Sequence, residues 1–338
     1  MTGRGEIPLW EVTMNRLMLC AFISLSLAAN GAAQQPACCP EQATHEKQQL
    51  LWQKMVDGIG KVDGNLSGVM GVGILDLTSG QQYLLHGDDV FPQASSIKIA
   101  VLAELYHQQQ QAQDDVAGKQ HLKDIYTVRA EDMVQDSDIM QGLTPGVTQL
   151  TNRDLATMMV AVSDNSATNA LIDRLGMGNV NAMLRSLGLH HTALRRKMMD
   201  VKAASEGREN VATPREMVAL LAAIYHNKLF NKELTDDFFK MLSTASGSNA
   251  KGSNMVRGIP GGIMVAEKPG ELEGVRADSG VVFMANRPFV LSIMTTYLSD
   301  EKDGARAITD VTRAAFAYFD MVGRASEYGR VISVHNAR

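Results

Sequence analysis

Ser95-Ser96-Ile97-Lys98 sets a hydroxyl and an amine three residues apart. On a helix that spacing puts both on one face. Ser95 would then stand near the positive end of the helix dipole, where a developing negative charge is favoured. An amine whose pKa is depressed by burial or by nearby cations can take the hydroxyl proton and release a nucleophile. Ser96 is two residues from Lys98 and points elsewhere. A second cluster, Ser163-Asp164-Asn165, lies between two apolar helical stretches. It offers the Ser163 hydroxyl as a proton relay to a leaving group and the Asn165 amide to hold a substrate. A third, Lys268-Pro269-Gly270, stands at the end of a predicted strand. Lys268 would supply positive charge for a substrate carboxylate. The backbone N–H of Glu271, just past Gly270, would join that of Ser95 in an oxyanion hole. Each cluster has a plainer reading by itself. Ser95 could be a capping serine beside a solvated lysine, and Ser163-Asp164-Asn165 could be a capping loop, since these are the favoured cap residues.

The elements that must position these groups are visible in the hydrophobic pattern. Glu46 to Val62 reads as a helix. Val69 to Leu77 is a strand ending in a Thr78-Ser79-Gly80 turn, with Gln81 to Leu85 as its partner. Helical periodicity runs from Ser95 to Gln110, and residues 111 to 150 are polar and loop-rich. Asp154–Val162, Ser166–Leu175, Val180–Leu187, Pro214–His226 and Leu234–Leu242 read as helices, with Pro214 at a favourable first position. Strands return at Gly262–Ala266, Ser279–Ala285 and Pro288–Leu298, the last two joined by a tight Asn286-Arg287 connection. Asp303 to Phe319 closes as a helix. Strands at both ends with helices between them predict an α+β fold. In it, a five-stranded antiparallel sheet is flanked by the first and last helices. The middle block forms an all-helical lobe, and the cleft between lobes is the natural place for a site.

In this order the three clusters resemble the Ser-x-x-Lys, Ser-Asp-Asn and Lys-Thr-Gly set of class A β-lactamases and penicillin-binding proteins. The likeness extends to Phe91-Pro92-Gln93-Ala94, to Leu150-Thr151-Asn152-Arg153-Asp154-Leu155-Ala156, to Ser166-Ala167-Thr168-Asn169, to Ala212-Thr213-Pro214 and to Gly274-Val275-Arg276. It covers residues 45 to 325. It implies a β-lactamase/transpeptidase-like fold, with an α/β lobe at 45–90 and 228–325 and a helical lobe at 91–227. It implies Ser95 as the acylated nucleophile, Lys98 and Ser163 moving protons, and Asn165, Lys268, Gly270 and Glu271 binding substrate. The substrate would be a small β-lactam or a D-alanyl-D-alanine-type peptide, with no cofactor and no metal.

Two departures from the family pattern stand out. Pro269 replaces the Thr or Ser of the third motif, removing a hydroxyl and a backbone donor. The resemblance gives that hydroxyl to the substrate carboxylate, and Arg276 is the candidate to take over part of its work. The loop before Thr213-Pro214 also lacks the family's deacylating Glu. Counting back from Pro214 lands near Lys197, in Leu194-Arg195-Arg196-Lys197-Met198-Met199-Asp200. Asp200 is the nearest carboxylate and the candidate base, and Arg195 or Arg196 could clamp the loop against Glu209. The expectation is β-lactam opening through an acyl-Ser95 intermediate with slow deacylation. The alternatives are a D-alanyl-D-alanine peptidase or penicillin-binding protein with a long-lived acyl-enzyme, and a non-catalytic binding protein on the same scaffold.

Bulk properties agree with this. The chain has 338 residues, 45% hydrophobic and 20% charged, with a formal net charge of −5, which argues against a nucleic-acid partner. Arg16, the apolar run Leu17–Ala29 and the small residues up to Ala33 form a signal-peptide pattern at residues 1–33, with Met14 as an alternative start. The run is too short for a stable membrane span. The expected location is periplasmic or extracellular, as a monomer. A polar linker follows at 34–44 and a tail at 326–338. Of three cysteines, Cys20 would leave with the signal, and the adjacent Cys38 and Cys39 are too strained to bridge each other. The body would therefore be held without disulfides. Cys38 is a weak candidate for lipidation.

Overall fold

The structure, a computed structural model, describes residues 40–246, 253–326 and 328–331. The predicted signal peptide and most of the predicted linker and tail lie outside these residues. In chain order the elements are α1 Pro40–Asn65, β1 Val69–Asp76, β2 Gln82–Leu85, β3 Phe91–Pro92, α2 Lys98–Gln113, β4 Ile125–Thr127 and β5 Gln149–Thr151. They continue with α3 Asn152–Ala161, α4 Asn165–Leu175, α5 Met177–Ser186, α6 Val201–Ser205, β6 Val211–Ala212 and α7 Pro214–Tyr225. The last are α8 Lys232–Leu242, β7 Met264–Leu272, β8 Val275–Phe283, β9 Phe289–Thr296 and α9 Glu301–Arg324.

Five strands form one antiparallel sheet in the order β2-β1-β9-β8-β7, so the expected α+β architecture is observed. Strand alternation divides its two faces. Leu291 and Ile293 on β9 join Met70, Val72 and Ile74 of β1 in a core with Trp52, Met55 and Ile59 of α1 and Ile308, Val311 and Phe319 of α9. Val290 and Met294, one residue out of phase, face the other way into the core of the helical lobe. Phe289 stacks on Phe319 at a centroid distance of 4.1 Å and 7° between planes, fastening α9 to the central strand. The glycine alternation of β1 also has a packing reason. A Cβ at Gly73 would lie 2.8 Å from Val218 and 2.9 Å from the Pro214 carbonyl, so α7 rests directly on the strand backbone.

Three boundaries differ from the sequence expectation. α1 begins at Pro40, inside the segment expected as linker. β7 runs on through Lys268, Pro269 and Gly270 to Leu272 instead of stopping before them. It is an edge strand, the one place in a sheet where proline does not break a ladder. The long helix is preceded by a 3-10 turn at Ala94–Ile97, and α2 proper starts at Lys98.

Phe289 is fully buried, so Phe289→Ala should lower the unfolding free energy by about 3–5 kcal/mol. Chemical denaturation of both proteins measures this. A loss under about 1 kcal/mol would show that the sheet–α9 contact is not a main support of the lobe.

Candidate active site

Short pairings place the turn that carries Ser95. Phe91 and Pro92 pair with Ala212 and Val211, and Gln93 N–H donates to the Asn210 carbonyl at 2.8 Å. Ala94 then takes a left-handed φ of 46°, which turns the chain into the 3-10 turn carrying Ser95. Side chains three apart eclipse in such a turn, so Ser95 and Lys98 lie over one another. Ser95 is partly accessible, whereas Ser96 and Lys98 are buried.

The second cluster turns out to be a cap and a site together. Asp164 is the N-cap of α4, accepting from Ala167 N–H at 2.9 Å. Its other oxygen accepts from the N–H groups of Ile139 at 3.1 Å and Met140 at 2.9 Å, so one buried carboxylate pins helix and loop. Ser163 is held beside it at a φ of 60°, in the left-handed region that a serine adopts at a cost. That conformation directs its hydroxyl at the first cluster. Lys98 Nζ donates to Ser163 Oγ at 3.0 Å, to the Ser163 carbonyl at 2.6 Å and to Asn165 Oδ1 at 2.8 Å. Ser163 Oγ is 3.0 Å from Ser95 Oγ. The link between the Ser95 hydroxyl and the Lys98 amine therefore runs through the Ser163 hydroxyl. Burial holds the Lys98 amine well below the ordinary lysine range, and the charge of Lys268 pushes it further down, against Asp164 and Asp136.

The third cluster meets the first edge-on. A Cβ on Gly270 would fall 2.5 Å from the Gln93 carbonyl and 2.9 Å from Ser96 N, so only glycine lets the strand lie this close to the nucleophile turn. Ser96 Oγ–H donates to the Lys268 carbonyl at 2.7 Å, tying strand to turn. The serine that the spacing set aside is thus a fastener. Lys268 is buried and donates to the Pro269 carbonyl at 3.0 Å. Burial pulls its pKa down to about 8, while Asp278, Glu267 and Glu271 oppose this.

Two candidates sit differently from the rest. The Arg276 guanidinium donates to the carbonyls of Leu272 at 2.9 Å and Val275 at 2.7 Å and pairs with Glu301, with Glu271 at 3.9 Å. It is already occupied at the far end of β7. Asp200 is exposed and caps α6, accepting from Ala203 N–H at 2.9 Å. The loop clamp is Arg196, whose Nη2 meets Glu209 at 2.9 Å, while Arg195 N–H goes to Asn210 Oδ1 at 2.7 Å.

Sequence reasoning missed Asn169 and Met198. Asn169 receives Met198 N–H on Oδ1 at 2.8 Å and donates Nδ2 to the Met198 carbonyl at 3.0 Å. Asn165 and Asn169 are four apart on α4, one above the other. One holds Lys98 and the next holds Met198. The loop residue held one helical turn along α4 from Asn165 is therefore a buried methionine, not an acid. The signal available was the Asn165–Asn169 spacing, which has meaning only once α4 is known to face the loop.

A partly accessible serine linked through a second serine to a buried amine, between an antiparallel sheet and a helical lobe, fits a serine hydrolase of the penicillin-recognising class. Comparison with known proteins agrees. The model of the Beta-lactamase enzyme family matches residues 55–319, and the chain belongs to that family. It is 26% identical over 275 residues to the β-lactamase SME-1 of Serratia marcescens, covering 78% of this chain and 88% of the relative. With ROB-1 of Haemophilus influenzae it shares 28% over 288 residues, covering 83% and 88%. The crystal structure of a β-lactamase from Sphaerobacter thermophilus superposes with a TM-score of 0.69 at 29% identity, covering 78% and 96%. A mutant of PBP-A solved as an acyl-enzyme complex with penicillin G gives 0.66 at 25%, covering 82% and 96%.

Ser163→Gly removes the bridging hydroxyl and suits the left-handed backbone. We expect it to slow covalent capture of a penicillin by about 100- to 10,000-fold, the usual worth of a placed acid–base group. Mass spectrometry of adduct formation over time measures this. Capture at the unaltered rate would mean that the proton reaches Lys98 without Ser163.

Proposed function

We propose that this chain opens β-lactams by acylation of Ser95 and releases the product slowly. The observation that carries the reading is the continuous contact Ser95 Oγ–Ser163 Oγ–Lys98 Nζ, with a buried amine at its end. In the reactive form Lys98 is the neutral amine that its burial favours, and the Ser163 hydroxyl turns to donate to its lone pair instead of accepting from it. As the Ser95 oxygen bonds to the lactam carbonyl carbon, its proton passes to Ser163, and the Ser163 proton passes to the Lys98 amine. The negative oxygen of the tetrahedral intermediate is assigned to the backbone N–H groups of Ser95 and Glu271. When the C–N bond breaks, the ring nitrogen takes a proton back through Ser163. Lys268 offers its charge to the substrate carboxylate, and Asn165, already oriented by Lys98, offers its Nδ2 to the substrate amide. Arg276 is given no more than a supporting role, because Glu301 holds it.

Deacylation needs a base that activates water against the ester. Met198 stands where such a group would be presented from the loop, and Asp200 is engaged in capping α6. The acyl-enzyme should therefore accumulate. The same observation favours a second reading, in which the natural acyl donor is a D-alanyl-D-alanine-type peptide and a β-lactam is a slow inhibitor. A non-catalytic role on this scaffold is disfavoured, because a strained Ser163 and a buried Lys98 are costly features with no structural need.

Intact mass after mixing with a penicillin tests this. The native chain should gain one substrate mass that decays slowly, and Ser95→Ala should gain none. Met198→Glu should hasten decay at least about 10-fold without slowing acylation, since a carboxylate would then stand beside the ester. An adduct of full yield on Ser95→Ala would overturn the nucleophile assignment. Rapid turnover without detectable adduct would overturn slow deacylation.

The export reading rests on Arg16, the apolar run Leu17–Ala29 and the small residues after it. Among the described residues no helix is long and apolar enough to cross a membrane. Exported protein should begin near Gln34 or Gln35 on N-terminal sequencing. A start before Leu17 would contradict a cleaved signal.

A further inference from the structure

Directly behind Lys268, two carboxyl groups meet in the dry interior. The β7–β8 register pairs Glu267 with Gly280 and Pro269 with Asp278. This puts Glu267 and Asp278 diagonally on one face of the sheet, while Lys268 and Gly270 point from the other face into the site. Both acids are fully buried. Ser253 Oγ–H donates to Glu267 Oε1, and Met255 N–H donates to Asp278 Oδ2 at 3.1 Å. The remaining oxygens, Glu267 Oε2 and Asp278 Oδ1, are buried with no donor among the described residues, and the two carboxyl groups are near enough to act on each other's titration. Two buried anions so placed, with no donor for these oxygens, repel strongly, so the pair holds one proton. Burial and the neighbouring Glu267 push Asp278 far above the usual carboxylate range, which puts the proton on Asp278. Burial raises Glu267 as well, but the Ser253 hydroxyl and the Lys268 charge work against this, so of the two Glu267 is the one left to carry the charge.

We propose that Glu267 and Asp278 are a positioning pair: sharing one proton, they fix a single negative charge behind Lys268 and keep its ammonium available for an anionic substrate. The inference rests on the reading of Lys268 as the carboxylate-binding group. The charged and titratable groups around Lys268 are Lys98 from α2, Asp278 from β8, and Glu267 and Glu271 from β7 itself. Arg276 stands beyond Glu271 and is neutralised by Glu301. Burial works against the Lys268 ammonium, and Glu271 is exposed. That leaves the buried pair as the counter-charge least screened by water.

Isosteric amides separate the charge from the packing. Asp278→Asn imitates the protonated acid, donating Nδ2 to Glu267 and accepting from Met255 N–H, so the charge on Glu267 stays. The double variant Glu267→Gln/Asp278→Asn removes the charge. Its hydrogen bonds can still close. The asparagine amide nitrogen donates to the oxygen of the introduced glutamine, and the glutamine nitrogen donates to a turned Ser253 hydroxyl. The readout is the pH profile of acylation by a penicillin. The native chain should lose efficiency as pH rises through about 8, where Lys268 gives up its proton. Asp278→Asn should keep this alkaline limb, and the double variant should move it lower by about one pH unit. A limb unmoved in the double variant, or moved equally in Asp278→Asn, overturns the proposal. A ¹³C-lysine NMR titration of unreacted protein, with the Lys268 signal assigned by its loss in Lys268→Gln, reads the same quantity without substrate. If no adduct ever forms but the Lys268 signal titrates earlier in the double variant, the function reading fails and the pair's role stands. Should the double variant not fold, the infrared carboxylic-acid band of native protein at neutral pH decides. Loss of that band in Asp278→Asn supports the shared proton, and its absence from native protein overturns it.

Discussion

Burying the Lys98 amine at the junction of α2 and α4 is the constraint on which the rest of the site depends. A charged ammonium there would cost several kcal/mol in desolvation. Burial therefore favours the neutral amine, the form that can take a proton, and the three hydrogen bonds that Lys98 donates are what the charged form gains in return. The fold makes the position rigid by surrounding the helix: α2 is buried at every residue from Lys98 to Tyr106. It is therefore a central shaft, not an amphipathic surface helix, and its first residue cannot move without moving the lobe. The three acceptors of Lys98 come from one short segment, Ser163 to Asn165, which the buried Asp164 carboxylate locks to α4 and to the 139–140 loop. Strain at Ser163 and Ala94 is tolerated because packing and hydrogen bonds on both sides over-determine the backbone.

The architecture and the three clusters are legible in the sequence alone. Period-two runs flanking a block of period-3.6 runs leave few alternatives to a sheet with an inserted helical lobe, and the clusters occur in a fixed order. The limits of legibility have physical causes. The helix expected from Ser95 is a 3-10 turn leading into α2, because the close contact of Gly270 with Gln93 and Ser96 sets the backbone there. Such a contact joins residues far apart in sequence and leaves no periodic trace. The pattern ends β7 before Pro269 because proline normally marks a break, yet edge position removes that objection. Helical spacing turns Ser96 away from Lys98 and makes it look idle, but its partner is a strand carbonyl, Lys268 O. The choice between cap and catalytic loop for Ser163-Asp164-Asn165 is a false one, because Asp164 caps and its neighbours face the site.

The loop from Leu194 to Asn210 shows how a scaffold can keep its shape while its chemistry differs. Its ends are closed by Arg196–Glu209 and by Asn210 Oδ1 accepting from two successive N–H groups, and its middle by Asn169 on both backbone groups of Met198. At Met198 the bonds use backbone alone, so they do not depend on the side chain presented there. A methionine is held with the same firmness as an acid would be. Methionine also fills the interior readily. The loop therefore presents a buried methionine at this point in place of a carboxylate.

Charge balance links this back to substrate recognition. Among the described residues, the buried ionisable groups about the site are Lys98 and Lys268, with Asp164 beside Ser163 and the proposed Glu267–Asp278 pair on the opposite face of the sheet. An incoming carboxylate meets a lysine whose charge is already partly answered from behind, so attraction is moderate. Pro269 offers no hydroxyl to add a directed hydrogen bond, and Arg276 is turned toward Glu301. In the proposed mechanism Lys98 accepts the Ser95 proton, and a second cation then appears close to the first. Its repulsion with Lys268 raises the energy of that state, and the buried anion lowers it. The same two acids that keep Lys268 charged thus also ease the proton transfer that releases the Ser95 oxygen. Removing them would be felt at both steps, binding through Lys268 and acylation through Lys98.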